Sequence, residues 1–175
     1  AIAGHNAGRY NYGNLLLNNN SNREELSIAV NFLKLAADEG YTKAQNRLGL
    51  MYVEGNGVEP NSDLAFKYFS FSSEAGDAEG LIGLGMCYSN GHGCEKDAVK
   101  ASQLFGEAAS LGAPQGQFNT AWNYHYGIGV QKDLDTAFKY YALAPEQGHA
   151  GGLRGLGEMY ELGTTSIEAD IELAL

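Results

Sequence analysis

Glycine recurs in this chain every 36 residues, at Gly4, Gly40, Gly76, Gly112 and Gly148. The same offset relates Gly13, Gly49, Gly85, Ala121 and Gly157. It relates Leu16, Tyr52, Tyr88, Tyr124 and Tyr160, and again Gly55, Gly91, Gly127 and Gly163. Ala29, Ala65, Ala101 and Ala137 keep the register, as do the bulky pairs Phe32-Leu33, Tyr68-Phe69, Leu104-Phe105 and Tyr140-Tyr141. A fixed period of this length marks a repeat architecture, in which each unit buries its apolar face only against its neighbours. The repeats run 4–39, 40–75, 76–111 and 112–147, with a truncated fifth from 148. They read as one domain over 1–175. The polar start at Ala1 and the apolar stop at Leu175 read as those of a fragment of a longer protein.

Each repeat reads as two helices. In the second, Ala44, Leu48 and Tyr52 recur at helical spacing with Met51 on the flank. Gly55 and Gly57 stop that helix, because glycine takes the positive φ that ends one. Asn61 then stands as an N-cap, with Asp97 and Asp133 in its column. Leu64, Ala65, Tyr68 and Phe69 share a face of the following helix. First helices are expected near 6–17, 42–53, 78–89, 114–125 and 150–161, and second helices near 24–38, 61–74, 97–110 and 133–146. In the first repeat, Asn18, Asn19, Asn20, Ser21 and Asn22 replace the glycine turn, and Asn22 with Glu25 forms a capping-box pattern. Packing explains the recurring residue types. Small residues in the Gly49 and Ala65 columns let helices approach to about 8–10 Å. The Tyr52 column and the aromatic pairs are the knobs that fill the gap. Residues 164–175, apolar with only acidic charges between, look like a second helix cut short, so the C-terminal end is expected to be the weak one.

These columns resemble the Sel-1-like repeat family, a relative of the tetratricopeptide repeat. The family pattern, A-x-x-x-L-G-x-x-Y-x-x-G-x-G-V followed by D, A, an aromatic, A-A and G, is matched by Ala44, Leu48-Gly49, Tyr52, Gly55, Gly57-Val58, Asn61, Ala65, Tyr68 and Gly76. The fourth repeat gives Tyr124, Gly127, Gly129-Val130, Asp133, Ala137, Tyr140 and Gly148. Thr120, Cys94, Ser72-Ser73 and Ala144-Pro145 depart from it. The resemblance implies an all-α fold, a right-handed α-solenoid or superhelix of helix-turn-helix repeats. It also implies a non-catalytic adaptor or scaffold for protein–protein interaction. The alternative is a structural subunit or spacer docked in a larger assembly. Some secreted bacterial members carry a cysteine pair per repeat, which this chain lacks.

Composition narrows the partner. The net charge is −10, which argues against nucleic acid, whose phosphates need basic patches. No apolar run reaches the roughly 18 residues that span a membrane. Two cysteines make no disulfide framework, and with no signal peptide in this stretch the expectation is a reducing, cytoplasmic setting. Cys87, His92 and Cys94 fit no zinc spacing, and no cofactor or metal is expected. The string Gly152-Leu153-Arg154-Gly155-Leu156-Gly157 lacks the preceding strand of a dinucleotide fingerprint. Asn19-Asn20-Ser21 is a glycosylation sequon in an Asn-rich run. No nucleophile–base spacing is visible, so no enzyme is expected.

The candidate site lies on the first helices, opposite the Leu48, Gly49 and Tyr52 columns. By resemblance to the tetratricopeptide repeat, that side lines a concave groove. It carries Asn46, Leu50 and Val53, then Ile82, Met86 and Ser89, then Phe118, Trp122 and His125 with Tyr126 beside them. The ends are polar, with Tyr10, Asn14 and Leu17 on one side and Arg154, Glu158 and Glu161 on the other. Phe118, Trp122, His125 and Tyr126 follow i, i+4, i+7 and i+8, and aromatic rings bury much area at small entropic cost. Leu50, Val53, Ile82 and Met86 continue the stripe, with Glu54, Glu79, Glu158 and Glu161 as an acidic rim. The expected partner is therefore a protein or peptide segment, apolar with Lys or Arg flanks. The competing reading of the same stripe is contact between neighbouring first helices.

Overall fold

The computed structural model describes residues 2–18, 23–143 and 150–162. The sequon and the expected weak end at 164–175 lie outside them. Among the described residues every regular element is an α-helix. In chain order these are α1 (Ile2–Asn18), α2 (Arg23–Asp38), α3 (Thr42–Glu54), α4 (Ser62–Glu74), α5 (Ala78–Asn90), α6 (Ala98–Ser110), α7 (Pro114–Tyr126), α8 (Leu134–Tyr141) and α9 (Ala150–Leu162). Odd-numbered helices are the first helices of the repeats. The expected boundaries agree to within a residue or two, with two exceptions. Helix α1 begins at Ile2, four residues early. Helix α8 ends at Tyr141 instead of 146. Continuing it would place Pro145, which has no N–H, against the Tyr141 carbonyl that a helix needs paired.

The helices fall into two compact units, residues 1–96 and 97–175. In the first, α1 packs on α2, α2 on α3, α3 on α4 and α4 on α5, and the first helices α3 and α5 also touch. In the second, α6 packs on α7, α7 on α8 and α8 on α9, with α7 also touching α9. Among the described residues the main contacts of each helix are thus with the next helix or the next-but-one, the order of a solenoid.

The turns repeat their caps. Gly55, Gly91 and Gly127 cap α3, α5 and α7 in the left-handed region at φ 72°, 78° and 70°. Each donates its N–H to the carbonyl four residues back, Met51, Cys87 or Asn123. Asn61, Asp97 and Asp133 cap α4, α6 and α8, accepting from the backbone N–H of Leu64, Lys100 and Thr136. The N–H of Asn61 and of Asp133 in turn donates to the carbonyl of Tyr52 and of Tyr124, both at 2.9 Å, which closes the hairpin. The second glycine of each turn has a different task. A side chain at Gly93 would strike the Ser62 carbonyl and the Phe66 side chain at the start of α4, and one at Gly129 the Ala98 carbonyl at the start of α6. The turn of each of these repeats therefore leans on the second helix of the repeat before it. Gly57 does so less closely, meeting only the side-chain ends of Met51 and Leu26 at 3.4 and 3.5 Å.

Between helices, small residues face large ones. The Phe69 ring lies between Gly49 of its own repeat, where a Cβ would sit 2.8 Å from the ring, and Gly83 of the next, where it would be closer still. Tyr141 lies against Gly155 in the same way. The second member of every aromatic pair is buried: Leu33, Phe69, Phe105 and Tyr141. The Tyr52 column is less uniform than expected. Tyr52 is buried and stacked on Tyr68 with centroids 5.9 Å apart, whereas Tyr88 and Tyr124 are half-buried and Tyr160 is exposed. The flank column is buried in the later repeats, at Met51, Cys87, Asn123 and Met159, while its first member, Leu15, is 56% exposed. The Ala44 column continues as Gly80, Gly116 and Gly152, which the sequence reading did not join to it, and all four are buried. It is where a first helix meets the end of the preceding second helix.

That column gives a test. A Cβ at Gly80 would lie 2.6 Å from the Ser73 backbone nitrogen, so the backbone itself must move. Gly106, inside α6, has nothing within 4 Å of its added Cβ. Gly80→Ala should lower the stability read by urea unfolding by about 1–3 kcal/mol, as overpacking does. Gly106→Ala should raise it by about 1 kcal/mol, the helix preference of alanine over glycine.

Candidate functional site

The candidate stripe is divided between the units. In the first, Leu50 and Val53 on α3 and Met86 on α5 are exposed, Met86 to 50%, and Ile82 is half-buried. Asn46, placed on the same side by its spacing, is buried instead. Its amide donates to Asp77 Oδ1 at 2.7 Å and to Glu79 Oε2 at 3.4 Å, tying α3 to the start of α5. Asp77 is also the α5 N-cap, accepting from Glu79 and Gly80 backbone N–H groups. The acidic start of α5 is thus a structural tie at Asp77, with Glu79 exposed at its edge. Glu54 is exposed as well.

In the second unit the aromatic residues of α7 form a continuous cluster. Phe118 and Trp122 have centroids 6.1 Å apart, Trp122 and Tyr126 4.4 Å, and His125 stacks on Tyr126 at 4.2 Å. Their burial differs. Phe118 and Trp122 are half-buried, Tyr126 is 48% exposed and His125 only 5%. Phe118 and His125 each pack on the ring of Tyr141, at 6.2 Å. Tyr141, from α8, is fully buried. Trp122 and Tyr126 therefore supply the open face, and Phe118 and His125 root it in the core.

Tyr141 was missed in the sequence reading of the site. The signal was present: Phe69 and Phe105 hold its column, so Tyr141 adds a hydroxyl where the repeat is apolar. That hydroxyl is buried with no hydrogen-bond partner, and so are His125 Nδ1, Asn123 Nδ2 and Thr120 Oγ1. The charges around them come from α9 and from the turn after α7. Burial lowers the His125 pKa; Glu158 pulls it up and Lys132 lowers it further. Burial raises that of Tyr141, with Tyr126 and Glu158 acting in the same direction and Arg154 against them. Glu158 pairs with Arg154, one turn earlier on α9, at 3.6 Å between half-exposed and exposed side chains. Glu161 beside it is exposed.

The rest of the chain offers less chemistry. Both cysteines are free thiols; Cys87 is buried, which pushes it up to about 11, a poor thiolate at neutral pH. Among the described residues, no three His, Cys, Asp or Glu side chains gather as metal ligands. No helix there is long and apolar enough to cross a membrane.

Two measurements check this description. Tyr141→Phe removes a buried hydroxyl that bonds to nothing, so stability should stay level or rise by up to about 1 kcal/mol. A lowered His125 pKa means that the unfolded chain takes up its proton first. Its contribution to stability is present above about pH 6.5, the ordinary histidine value, and is lost as pH falls toward the folded pKa. Thermal melts at pH 7.5 and 5.5 should therefore differ more for the native chain than for His125→Gln.

Comparison with known proteins follows the same register. A family model described as the Sel1 repeat matches residues 6–41, 42–77, 78–112, 114–149 and 150–175. The structure is similar to that of a protective antigen of uropathogenic Escherichia coli with an SLR fold, at TM-score 0.85 and 30% identity over 92% of this chain. The chain spans only 34% of that antigen. A Sel1 repeat protein from Oxalobacter formigenes aligns at TM-score 0.82 and 24% identity, covering 99% of this chain and 72% of the other. Helicobacter pylori cysteine rich protein B shares the fold at TM-score 0.60 and 24% identity, over 77% of this chain and 96% of its own. No curated protein matches the sequence. Sel1 repeat proteins are generally all-α solenoids that serve as protein-interaction scaffolds. With five consecutive repeats matched in one register, the chain belongs to the Sel1 repeat family.

Proposed function

We propose that this chain is a non-catalytic interaction scaffold that holds a protein segment against its first helices, with Trp122 and Tyr126 as the main anchors. The observation that carries the reading is the open aromatic pair on α7. Its rings are 4.4 Å apart, and Tyr126 is nearly half exposed. Exposed, clustered aromatics are the usual hot spots of protein interfaces. Leu50, Val53, Ile82 and Met86 supply a second apolar patch of the same kind in the other unit. The acidic residues beside both patches favour an apolar segment with basic flanks, and the net charge of −10 favours it over nucleic acid.

The alternative, a spacer docked in an assembly, draws on the exposed Leu35 and Phe71, which share one column on the second helices α2 and α4. Pull-downs read by mass spectrometry separate the two. A scaffold should lose its partners on Trp122→Ala and keep them on Phe71→Ser; a spacer should do the reverse. For an isolated partner segment, Trp122→Ala should cost at least about 2 kcal/mol of binding. It should cost far less folding stability than Tyr141→Ala, for which about 3–5 kcal/mol is typical. If Trp122→Ala unfolds the chain as badly as Tyr141→Ala, the residue is core and the reading fails. Trp122 is the only tryptophan, so its fluorescence reports binding directly.

A further inference from the structure

We propose that the second unit contains an arginine slot, formed by Trp122, Tyr126 and Glu158 over the buried His125 and Tyr141, which takes an arginine side chain from the partner protein. The inference rests on the scaffold reading and names the chemistry of its anchor.

Three independent observations meet at this place. The first is the pair of rings, Trp122 and Tyr126, 4.4 Å apart, with Trp122 half-buried and Tyr126 48% exposed. A guanidinium stacks on such rings better than an ammonium does. The second is Glu158. It lies one turn along α9 from Gly155, which rests against the Tyr141 ring, and among the described residues its ion pair is the long, exposed one with Arg154 at 3.6 Å. An exposed i,i+4 pair of that kind is worth only a few tenths of a kcal/mol, so an incoming cation displaces it easily. The third is the orphaned polar pair behind the rings, His125 Nδ1 and the Tyr141 hydroxyl, both buried and without a partner. Buried polar atoms without partners are uncommon in proteins and call for an explanation.

Arginine answers all three at once. It carries five N–H donors in a planar fork and no acceptor. Glu158 accepts two of them side by side. Tyr126 is stacked over His125 and, being half exposed, can swing aside. With the guanidinium stacked on Trp122 and standing where the Tyr126 ring lay over His125, the remaining donors face the His125 ring nitrogen and the Tyr141 oxygen. Lysine, a compact point charge with no plane to stack, satisfies Glu158 alone. The chain's own last residues, 163–175, contain three acids and no Lys or Arg, so they cannot supply the cation.

The test is selection of a random peptide library, displayed on phage, on the 1–175 chain at neutral pH. Selected peptides should carry arginine beside apolar residues at about ten times its library frequency. Selection on Glu158→Gln, folded by circular dichroism, should keep the apolar residues and lose the arginine. Resynthesised peptides with arginine replaced by citrulline, which keeps shape but not charge, should bind about tenfold more weakly by Trp122 fluorescence. Equal binding of the arginine, lysine and citrulline forms overturns the slot and leaves the scaffold reading standing. So does arginine enrichment that survives Glu158→Gln. A library that yields no binding peptide overturns both. A dimer of the chain that Glu158→Gln dissociates overturns the partner assignment in favour of a second copy.

Discussion

Two helices can come no closer than the side chains between them permit, and nearly everything in this molecule follows from where those side chains are absent. Phe69 fits because Gly49 and Gly83 leave room on both sides of its ring. Tyr141 fits because of Gly155. Where Gly116 meets α6, an added Cβ would lie 2.8 Å from the Ala109 backbone nitrogen. A glycine inside a helix costs about 1 kcal/mol relative to alanine, and burying a large aromatic side chain returns more than that. In the first hairpin Gly13 makes the same kind of room for Leu33.

Much of this could be read from residue order. The 36-residue register, the glycine caps and the Asn61, Asp97 and Asp133 caps are local chemistry, each fixed by a few neighbouring atoms. What the order hid was contact between repeats. Gly80 and Gly83 read as ordinary helix residues until α4 is set against α5. Met51 read as a flank, yet it is buried, as are Cys87, Asn123 and Met159 in its column. The end of α8 was legible but overlooked, since Pro145 cannot complete the Tyr141 hydrogen bond.

The candidate site was legible only in outline. Helical spacing placed Leu50, Val53, Met86 and Tyr126 at the surface, and there they are. Spacing could not distinguish His125 from Val53 and Ser89, which share its column and are exposed. That difference comes from Tyr141, whose ring sits on another helix 16 residues later in the chain. His125 and Tyr141 are both polar where the repeat is otherwise apolar or open. A repeat protein has spare copies of its structural solution, so a departure confined to one copy stands out against the rest. Departures from local consistency are where function is expected to concentrate.

The leaning turns bear on how such a chain can evolve. Gly93 and Gly129 rest against the backbone at the start of the preceding second helix, with no space for so much as a methyl group. One inserted residue there would push apart two hairpins instead of bulging into solvent. Length change by small steps is therefore closed at these turns, although connecting segments are ordinarily where insertions are best tolerated. Gly57 meets only flexible side-chain ends, beside a cleft lined by Leu26, Val30, Lys34 and Val58, and can yield. Adding or removing a whole repeat, by contrast, leaves each remaining turn against its neighbour and keeps the 36-residue period.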